Sequence, residues 1–445
     1  MNYSEAVEYL LSFTDMERGY QKSASPAMSL DSMRSLLERL RNPQHGRHTV
    51  HITGSKGKGT TAAMIEGILR HSGNRTALFT SPHLHAFTER IRMGEEAVSP
   101  EEFATALHAI KPAVDAEQEA SGGSVSTFGI LTALFFWLVR AQMKPIDWQV
   151  VEVGLGGTFD ATNVFNEIDV AVITPISLEH TAVLGSTQAE IAADKAGIIK
   201  PGSVCVLAPQ RDPAVPHVVR DRCREVGAEL VDVAAHYEAD LLERFVFGQS
   251  FTVNGPSGTR ELRTPLLGYH QLQNAATAVA TFDALVDRGH DLEEQALNEG
   301  IARTRVPGRV EVMGQSPLVV ADGAHNRESA ATLAATLRDY FEWERCFLVI
   351  GTQKDKDVRA MGLELASLAE MIICTRFDNP RAMDPYVLVQ EVGFLGPAAV
   401  AEYDIDAALE TAMARAGKND LVCITGSLYL VAEARERILG ESVVS

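Results

Sequence analysis

Thr49-Val50-His51-Ile52-Thr53-Gly54-Ser55-Lys56-Gly57-Lys58-Gly59-Thr60-Thr61 is the stretch on which the reading of this 445-residue chain turns. A short apolar run breaks into a glycine-rich loop, and Thr60 and Thr61 open a helical pattern. A loop without bulky side chains lets backbone N–H groups point at phosphate oxygens. The helix behind it adds its positive N-terminal end, and Lys58 supplies a mobile charge. The spacing differs from G-x-x-x-x-G-K-[ST], because Gly59 stands between the lysine and the hydroxyl residue. The plainer alternative is a glycine turn between a strand and a helix.

The flanking sequence extends this unit. Residues 75–80 read as a second strand, followed by Ser81-Pro82-His83-Leu84. Strand, loop, helix, strand begins a parallel α/β sheet. Residues 148–154 form a third strand, apolar into Glu152, with Gly154-Leu155-Gly156-Gly157 behind it, and residues 168–174 form the next. Helical spacing is expected over 4–13, 30–41, 100–118, 127–142 and 187–199, with a Ser-, Pro- and Lys-containing loop at 20–28 and a turn at Gly122-Gly123. Strands 203–207 and 229–233 continue the alternation. From 245 to 266 the period becomes two, with Asn254-Gly255 as a hairpin signal, so an antiparallel edge is expected. Helices at 270–287 and 292–302 follow. Arg305-Val306-Pro307-Gly308 interrupts the pattern, and a second alternation starts: strands at 318–321, 346–350, 371–375 and 421–425, with helices at 326–339, 357–369 and 427–438. The fold class is α/β, in two units.

Bulk numbers narrow the function. The length exceeds one ordinary core. With 46% hydrophobic and 22% charged residues, the chain reads as globular. A net charge of −19 argues against a sequence-independent nucleic-acid binder, which needs a basic footprint. Cys205, Cys223, Cys346, Cys374 and Cys423 show no C-x-x-C pairing, and three lie in strand-like runs, as expected of reduced, buried cysteines. The acidic start, Met1-Asn2-Tyr3-Ser4-Glu5, is unlike a signal peptide, and no apolar stretch reaches membrane-spanning length. A cytoplasmic protein with no membrane partner is expected.

Several residues stand where chemistry is expected. In a parallel sheet, ligands gather at the carboxyl ends of strands. Glu152 sits at such an end, where a carboxylate can hold Mg²⁺ against nucleotide phosphates; the alternative is a solvated strand-end acid. His180 and Ser81 follow two other strand ends and are weak signals singly. Lys195 shares a helix face with Ile191, Ile198 and Ile199, so it snorkels, pairs with an acid such as Asp194, or turns inward to the phosphate site. Asp322-Gly323-Ala324-His325-Asn326 follows a strand and opens a helix, with Asp322 placed for a ribose or phosphate role and Asn326 for the cap. Asn274 and Arg309 lie before and after the boundary.

Taken in order, these motifs resemble the folylpolyglutamate synthase and dihydrofolate synthase group of Mur-type ATP-dependent amide ligases, over residues 49–435. The resemblance also rests on Glu89-Arg90-Ile91, Asp160-Ala161-Thr162-Asn163, Glu179-His180-Thr181, Asp194-Lys195-Ala196-Gly197-Ile198, His270-Gln271-Leu272-Gln273-Asn274, Pro307-Gly308-Arg309, Lys354-Asp355-Lys356-Asp357 and Thr425-Gly426-Ser427-Leu428-Tyr429. It implies a P-loop mononucleotide-binding domain over 1–304 and a smaller, Rossmann-like glutamate-ligase domain over 305–445, with ATP between them. Gly54, Ser55, Lys56, Gly57, Lys58, Gly59 and Thr60 would cradle the phosphates. Asn274, Arg309 and Asp322 would contact the nucleotide, and Ser81, Glu152 and His180 would hold Mg²⁺. Lys195 would be the lysine that family members carbamylate, and His325 would lie near the glutamate-side chemistry; a monovalent cation also belongs to this scheme. The implied reaction converts a carboxylate to an acyl phosphate, which L-glutamate's amino group then attacks. Folate or dihydropteroate would be the acceptor, and the chain would act as a monomer.

Three departures from the family pattern stand out. Ser55 replaces a more usual threonine, and Lys56 stands where many bacterial members have asparagine. In Thr127-Phe128-Gly129, glycine stands where many members that also make dihydrofolate carry glutamate, which bears on pterin-acid specificity. A Mur-type ligase acting on a cell-wall precursor is the competing expectation, disfavoured by the short stretch before the phosphate loop. A nucleotide switch is a third, disfavoured because a switch needs no second nucleotide-contacting unit.

Overall fold

A computed structural model describes residues 1–14 and 30–440; the loop expected at 20–28 lies outside the described residues. The first sheet comprises β1 (His48–Thr53), β2 (Thr76–Phe79), β3 (Ile91–Met93), β4 (Glu96–Ala97), β5 (Trp148–Glu152), β6 (Val170–Ile173), β7 (Val204–Leu207) and β8 (Glu229–Asp232). Their order is β4-β3-β2-β5-β1-β6-β7-β8, parallel from β2 to β8, with β3 and β4 antiparallel at one edge. β1 is therefore central, flanked by β5 and β6.

The inner strands β1, β5, β6 and β7 are buried on both faces, as a sheet covered by helices on each side requires; β6 and β7 are apolar throughout, while β1 and β5 also bury Thr49, His51, Thr53, Gln149 and Glu152. Val50, Ile52, Val150, Val170, Val172, Val204 and Val206 pack into one core with the helices Lys58–His71, Tyr269–Asp287 and Glu294–Arg303. Val151, Ala171, Ile173, Cys205 and Leu207 point into a second core, with Pro100–Ala120 and Thr127–Ala141. Helix Lys58–His71 is clamped closely: a Cβ on Gly67 would lie 2.9 Å from the Gly300 carbonyl oxygen of the facing helix.

The period-two segment at 245–266 forms β10 (Gly248–Gly255) and β11 (Gly258–Thr264), which join the preceding β9 (Glu238–Phe245), not expected from the sequence, in a separate three-stranded antiparallel sheet of order β11-β10-β9. The expectation of an antiparallel edge on the main sheet is corrected here. Gly255 pairs with Gly258, so the hairpin turns on Pro256 and Ser257 rather than on Asn254-Gly255.

A third sheet contains β12 (Glu311–Gln315), β13 (Leu318–Asp322), β14 (Cys346–Ile350), β15 (Met371–Cys374), β16 (Ala398–Ala401) and β17 (Leu421–Thr425), in the order β12-β13-β17-β14-β15-β16. Only β12 is antiparallel. Cys346, Leu348, Ile350, Leu421 and Cys423 face one core, and Phe347, Val349, Val422 and Ile424 the other. β12, β16 and the helices Pro385–Val392 and Ile405–Arg415 were absent from the sequence reading. All five cysteines are free and buried. Among the described residues, no helix is long and apolar enough to cross a membrane.

Candidate active site

β1 delivers the chain at Thr53 into the glycine loop. Gly57, at φ +84°, is the N-cap of helix Lys58–His71 and offers no side chain to cap it. The first-turn N–H groups are thus left for a ligand. A Cβ on Gly57 would collide with the Asn274 amide, which donates to Gln271 Oε1 (2.8 Å) and sits against the loop. A Cβ on Gly59 would come within 3.3 Å of Glu152 Oε2. The extra glycine is where the strand-end carboxylate approaches the first turn of the helix.

The loop and the segment after β13 open onto one cleft of about 3340 Å³, lined by residues from both large sheets, among them Lys56, Lys58, Glu152, His180, Arg309 and His325. Ordinary small-molecule pockets hold about 300–1,000 Å³, so there is room for more than one ligand.

Charges in the cleft fall into two sets. Lys195, 1% exposed, donates to the Gly54 carbonyl (2.8 Å) and to Glu179 Oε1 (3.1 Å). Its ion-pair partner is Glu179, not the neighbouring Asp194. Burial pushes Lys195 down to about 8, because desolvation of the ammonium outweighs what Glu179 returns. Burial alone would raise Glu179, but the Lys195 and Lys58 ammoniums together hold it below the usual carboxylate range.

The second set is unpaired. Lys58 donates only to the Gly54 carbonyl (3.1 Å). The side chains of Lys56 and Arg309 have no ion-pair or hydrogen-bond partner among the described residues, and burial pushes Lys56 below its usual range. Glu152, 3% exposed, accepts one hydrogen bond, from the Ser81 backbone N–H (3.0 Å), and forms no ion pair among the described residues. Burial pushes its carboxyl up to about 7, against the opposing pull of Lys58. Ser81 thus meets Glu152 through its backbone.

His180 adopts φ +47°, a left-handed conformation unusual for a non-glycine residue, at the start of the short helix Thr181–Leu184. Burial, reinforced by nearby lysines, lowers its pKa and favours the neutral ring. Asp322 gives both carboxylate oxygens to backbone, accepting from Val310 (2.9 Å) and Ala324 (2.8 Å), and so ties the Arg309 segment to the end of β13. His325 is pushed down to about 4 by burial. Its Nδ1 lies 2.9 Å from the Gly323 carbonyl and must carry the proton, which leaves Nε2 with a bare lone pair. Asn326 caps helix Arg327–Tyr340 by accepting from Ser329 N–H, as the sequence led one to expect.

Two residues without an individual role in the sequence reading prove central. Glu179 holds Lys195 in place. Glu89 accepts the backbone N–H groups of Leu84, His85 and Ala86 (2.7–2.8 Å) and so shapes the loop after β2. Both lie inside quoted motifs, but their partners are fixed by loops whose course is not readable from spacing.

The sequence profile "Mur ligase middle domain" matches residues 52–282, and "Mur ligase, glutamate ligase domain" matches residues 308–428. These profiles define the class, two-part Mur ligases. The chain is 34% identical to a Bacillus subtilis dihydrofolate synthase/folylpolyglutamate synthase, over 92% of this chain and 94% of that one. It is 36% identical to a Haloferax volcanii probable bifunctional folylpolyglutamate synthase/dihydropteroate synthase, over 98% of this chain but only 50% of the relative, so it spans half of that longer protein. Its fold superposes on Mycobacterium tuberculosis folylpolyglutamate synthase complexed with ADP with a TM-score of 0.87, at 30% identity and covering 98% and 99% of the two chains. The chain belongs to the folylpolyglutamate synthase/dihydrofolate synthase family.

Proposed function

We propose that this chain is an ATP-dependent ligase that joins L-glutamate to a folate, and that dihydropteroate is a second acceptor. The observation that carries the reading is the charge of the cleft: among the described residues Lys56, Lys58 and Arg309 form no ion pair, and neither does the buried Glu152 near Lys58 and Arg309. In a chain of net charge −19, three unneutralised cations beside free helix-start N–H groups suit a polyphosphate.

The unpaired, buried Glu152 also fits a divalent cation, because a cation removes the cost of an isolated carboxylate. With neutral His180 and Ser81 it would complete a Mg²⁺ site; when bound, Mg²⁺ neutralises phosphate charge and aligns the terminal phosphoryl group. Residues 54–60 hold the phosphates, Lys58 offsets charge on the transferring group, and Asn274, Arg309 and Asp322 line the nucleotide's position. An acceptor carboxylate oxygen attacks the γ-phosphorus as the bond to ADP breaks, giving an acyl phosphate. The glutamate nitrogen then attacks the acyl carbon, the C–O bond breaks and phosphate leaves. The bare Nε2 of His325 is available for the amine proton. A neutral Lys195 amine can add to CO₂, forming an N–C bond and releasing one proton; the resulting carbamate would stand as a further anionic ligand, with Glu179 turned away. Closure of the cleft around ATP would keep water from the acyl phosphate.

The test is phosphate release with ATP, Mg²⁺ and L-glutamate, with tetrahydrofolate or dihydropteroate added in turn. Release that requires glutamate and a pterin acceptor is expected. Release indifferent to both overturns the reading. Because Gly129, at the cleft wall, stands where glutamate marks many dihydrofolate-making members, the ratio of the two acceptors is the informative number.

A further inference from the structure

The opposite ends of the central strands β1 and β6 carry a cluster that the proposed reaction does not use. β1 begins at His48, Asp169 immediately precedes β6, and His290 follows helix Tyr269–Asp287. Asp169 turns Oδ1 toward both imidazoles, 3.0 Å from His48 Nδ1 and 3.5 Å from His290 Nε2. One donor atom from each of the three residues lies within 4.8 Å of the other two. At metal–ligand bonds of about 2.0–2.1 Å, neighbouring donors of a tetrahedral ion are about 3.3 Å apart. The two carboxylate–imidazole spacings bracket that value.

The ligands are also held from behind, as metal ligands are. Asp169 Oδ2 accepts the Thr49 backbone N–H (2.8 Å), which fixes the carboxylate with Oδ1 toward the rings. Trp148 stacks on His48 (4.6 Å, 28°) and meets His290 edge-on (4.8 Å). Arg288, the nearby cation, donates to the Gly202 carbonyl (2.9 Å). The six residues of β1 separate this cluster from the phosphate loop by about 17–20 Å at the usual strand rise.

We propose that His48, Asp169 and His290 form a binding site for a divalent transition ion of the zinc class, with a fourth position open to water. Two imidazoles and one carboxylate suit Zn²⁺, whereas Mg²⁺ prefers an all-oxygen, largely hydrated shell. Binding moves each imidazole proton to the outer ring nitrogen, so that the inner one donates its lone pair. The ion then fastens the end of helix Tyr269–Asp287 to the start of β1 and β6. The same helix carries Asn274 against the phosphate loop near its other end, so the site braces the nucleotide cleft without touching it.

The probe is Co²⁺, titrated into the metal-free full chain in millimolar Mg²⁺, with Zn²⁺ as competitor. One equivalent with a visible ligand-field band, displaced by Zn²⁺, is expected, together with a zinc-dependent rise in melting temperature. His290→Gln and, separately, His48→Gln should weaken cobalt binding at least about tenfold and remove that rise, while ATP-driven phosphate release stays at the wild-type rate. Absence of a stoichiometric band, or a band that survives in both variants, overturns the proposal. So does a cobalt–thiolate charge-transfer band, which would place the ion on a cysteine.

Discussion

The two ends of β1 bring together ionisable groups to opposite effect. Beyond Thr53, Lys56, Lys58 and Arg309 face a buried Glu152, and neither sign is neutralised by the other. Before Thr49, His48, Asp169 and His290 already touch one another. The first end keeps opposite charges apart in a wide cleft, an arrangement that is costly until an anion and a cation arrive together. The second is satisfied by itself, and a ligand there must displace existing hydrogen bonds. Substitutions should therefore alter chemistry at the first end and ion affinity at the second.

The largest effect should come from Lys195, the buried cation beside the phosphate loop that is paired directly with an acid. Lys195→Ala takes away the ion-pair partner of Glu179 and removes the amine proposed to carry the carbamate. Turnover should fall at least about 10³-fold, and added bicarbonate should not restore it. Melting temperature measured alongside separates lost chemistry from lost fold. Wild-type-like turnover in a folded variant would falsify the role and erase the distinction between paired and unpaired cations.

Gly59→Ala sharpens the same contrast by geometry alone. Its Cβ would lie 3.3 Å from Glu152 Oε2, so carboxylate and helix must part by a few tenths of an ångström. Loss of about ten- to a hundredfold in kcat/KM for ATP is expected, because small misplacements around a transferring group are expensive. Unchanged kinetics would show that Glu152 need not approach the helix closely.

How much of this could be read in the sequence varies with the physics of each element. β6 and β7 announce themselves because both their faces are buried, which makes near-continuous apolar runs, and β1 and β5 are recognised by the β-branched and aromatic residues that lead into Gly54 and Gly154. β16 is Ala-Ala-Val-Ala and partly exposed, and helix Pro385–Val392 is short; neither carries enough apolar signal. β10 and β11 were recognised as antiparallel and β9 was missed, and a period of two says nothing about which sheet a strand joins. At the site, the glycine loop was legible because backbone conformation dictates residue type. The Lys195–Glu179 pair was not, because the acid arrives through a loop, and Asp194 was merely the nearer acid along the chain.

Helix Lys58–His71 follows the reactive end but should tolerate change differently on its far side. Gly67→Ala forces a Cβ to 2.9 Å from the Gly300 carbonyl, an overpacking that costs about 1–3 kcal/mol. The variant should unfold at lower denaturant with kcat unchanged. A drop in kcat without a shift of the midpoint would mean that the helix transmits strain to the loop.

The smallest effect lies midway along β1. His51 is buried, and its Nε2 is 2.8 Å from Thr162 Oγ1. That hydroxyl donates to Asp160, so it must accept from His51, and the proton sits on Nε2 while Nδ1 has no partner. Desolvation pushes His51 down to about 3 from 6.5. Between those values the unfolded chain binds a proton that the native state refuses, so stability falls as pH drops below about 6.5 and gains nothing above it. The contribution reaches about 1.4 kcal/mol per pH unit. His51→Gln keeps a donor for Thr162 and cannot ionise. Its denaturation midpoint should lie below wild type at pH 7 and draw level as pH falls toward 5. A constant gap would mean that His51 is not neutral in the native strand, and that the interior of β1 resembles its charged ends more than its apolar neighbours.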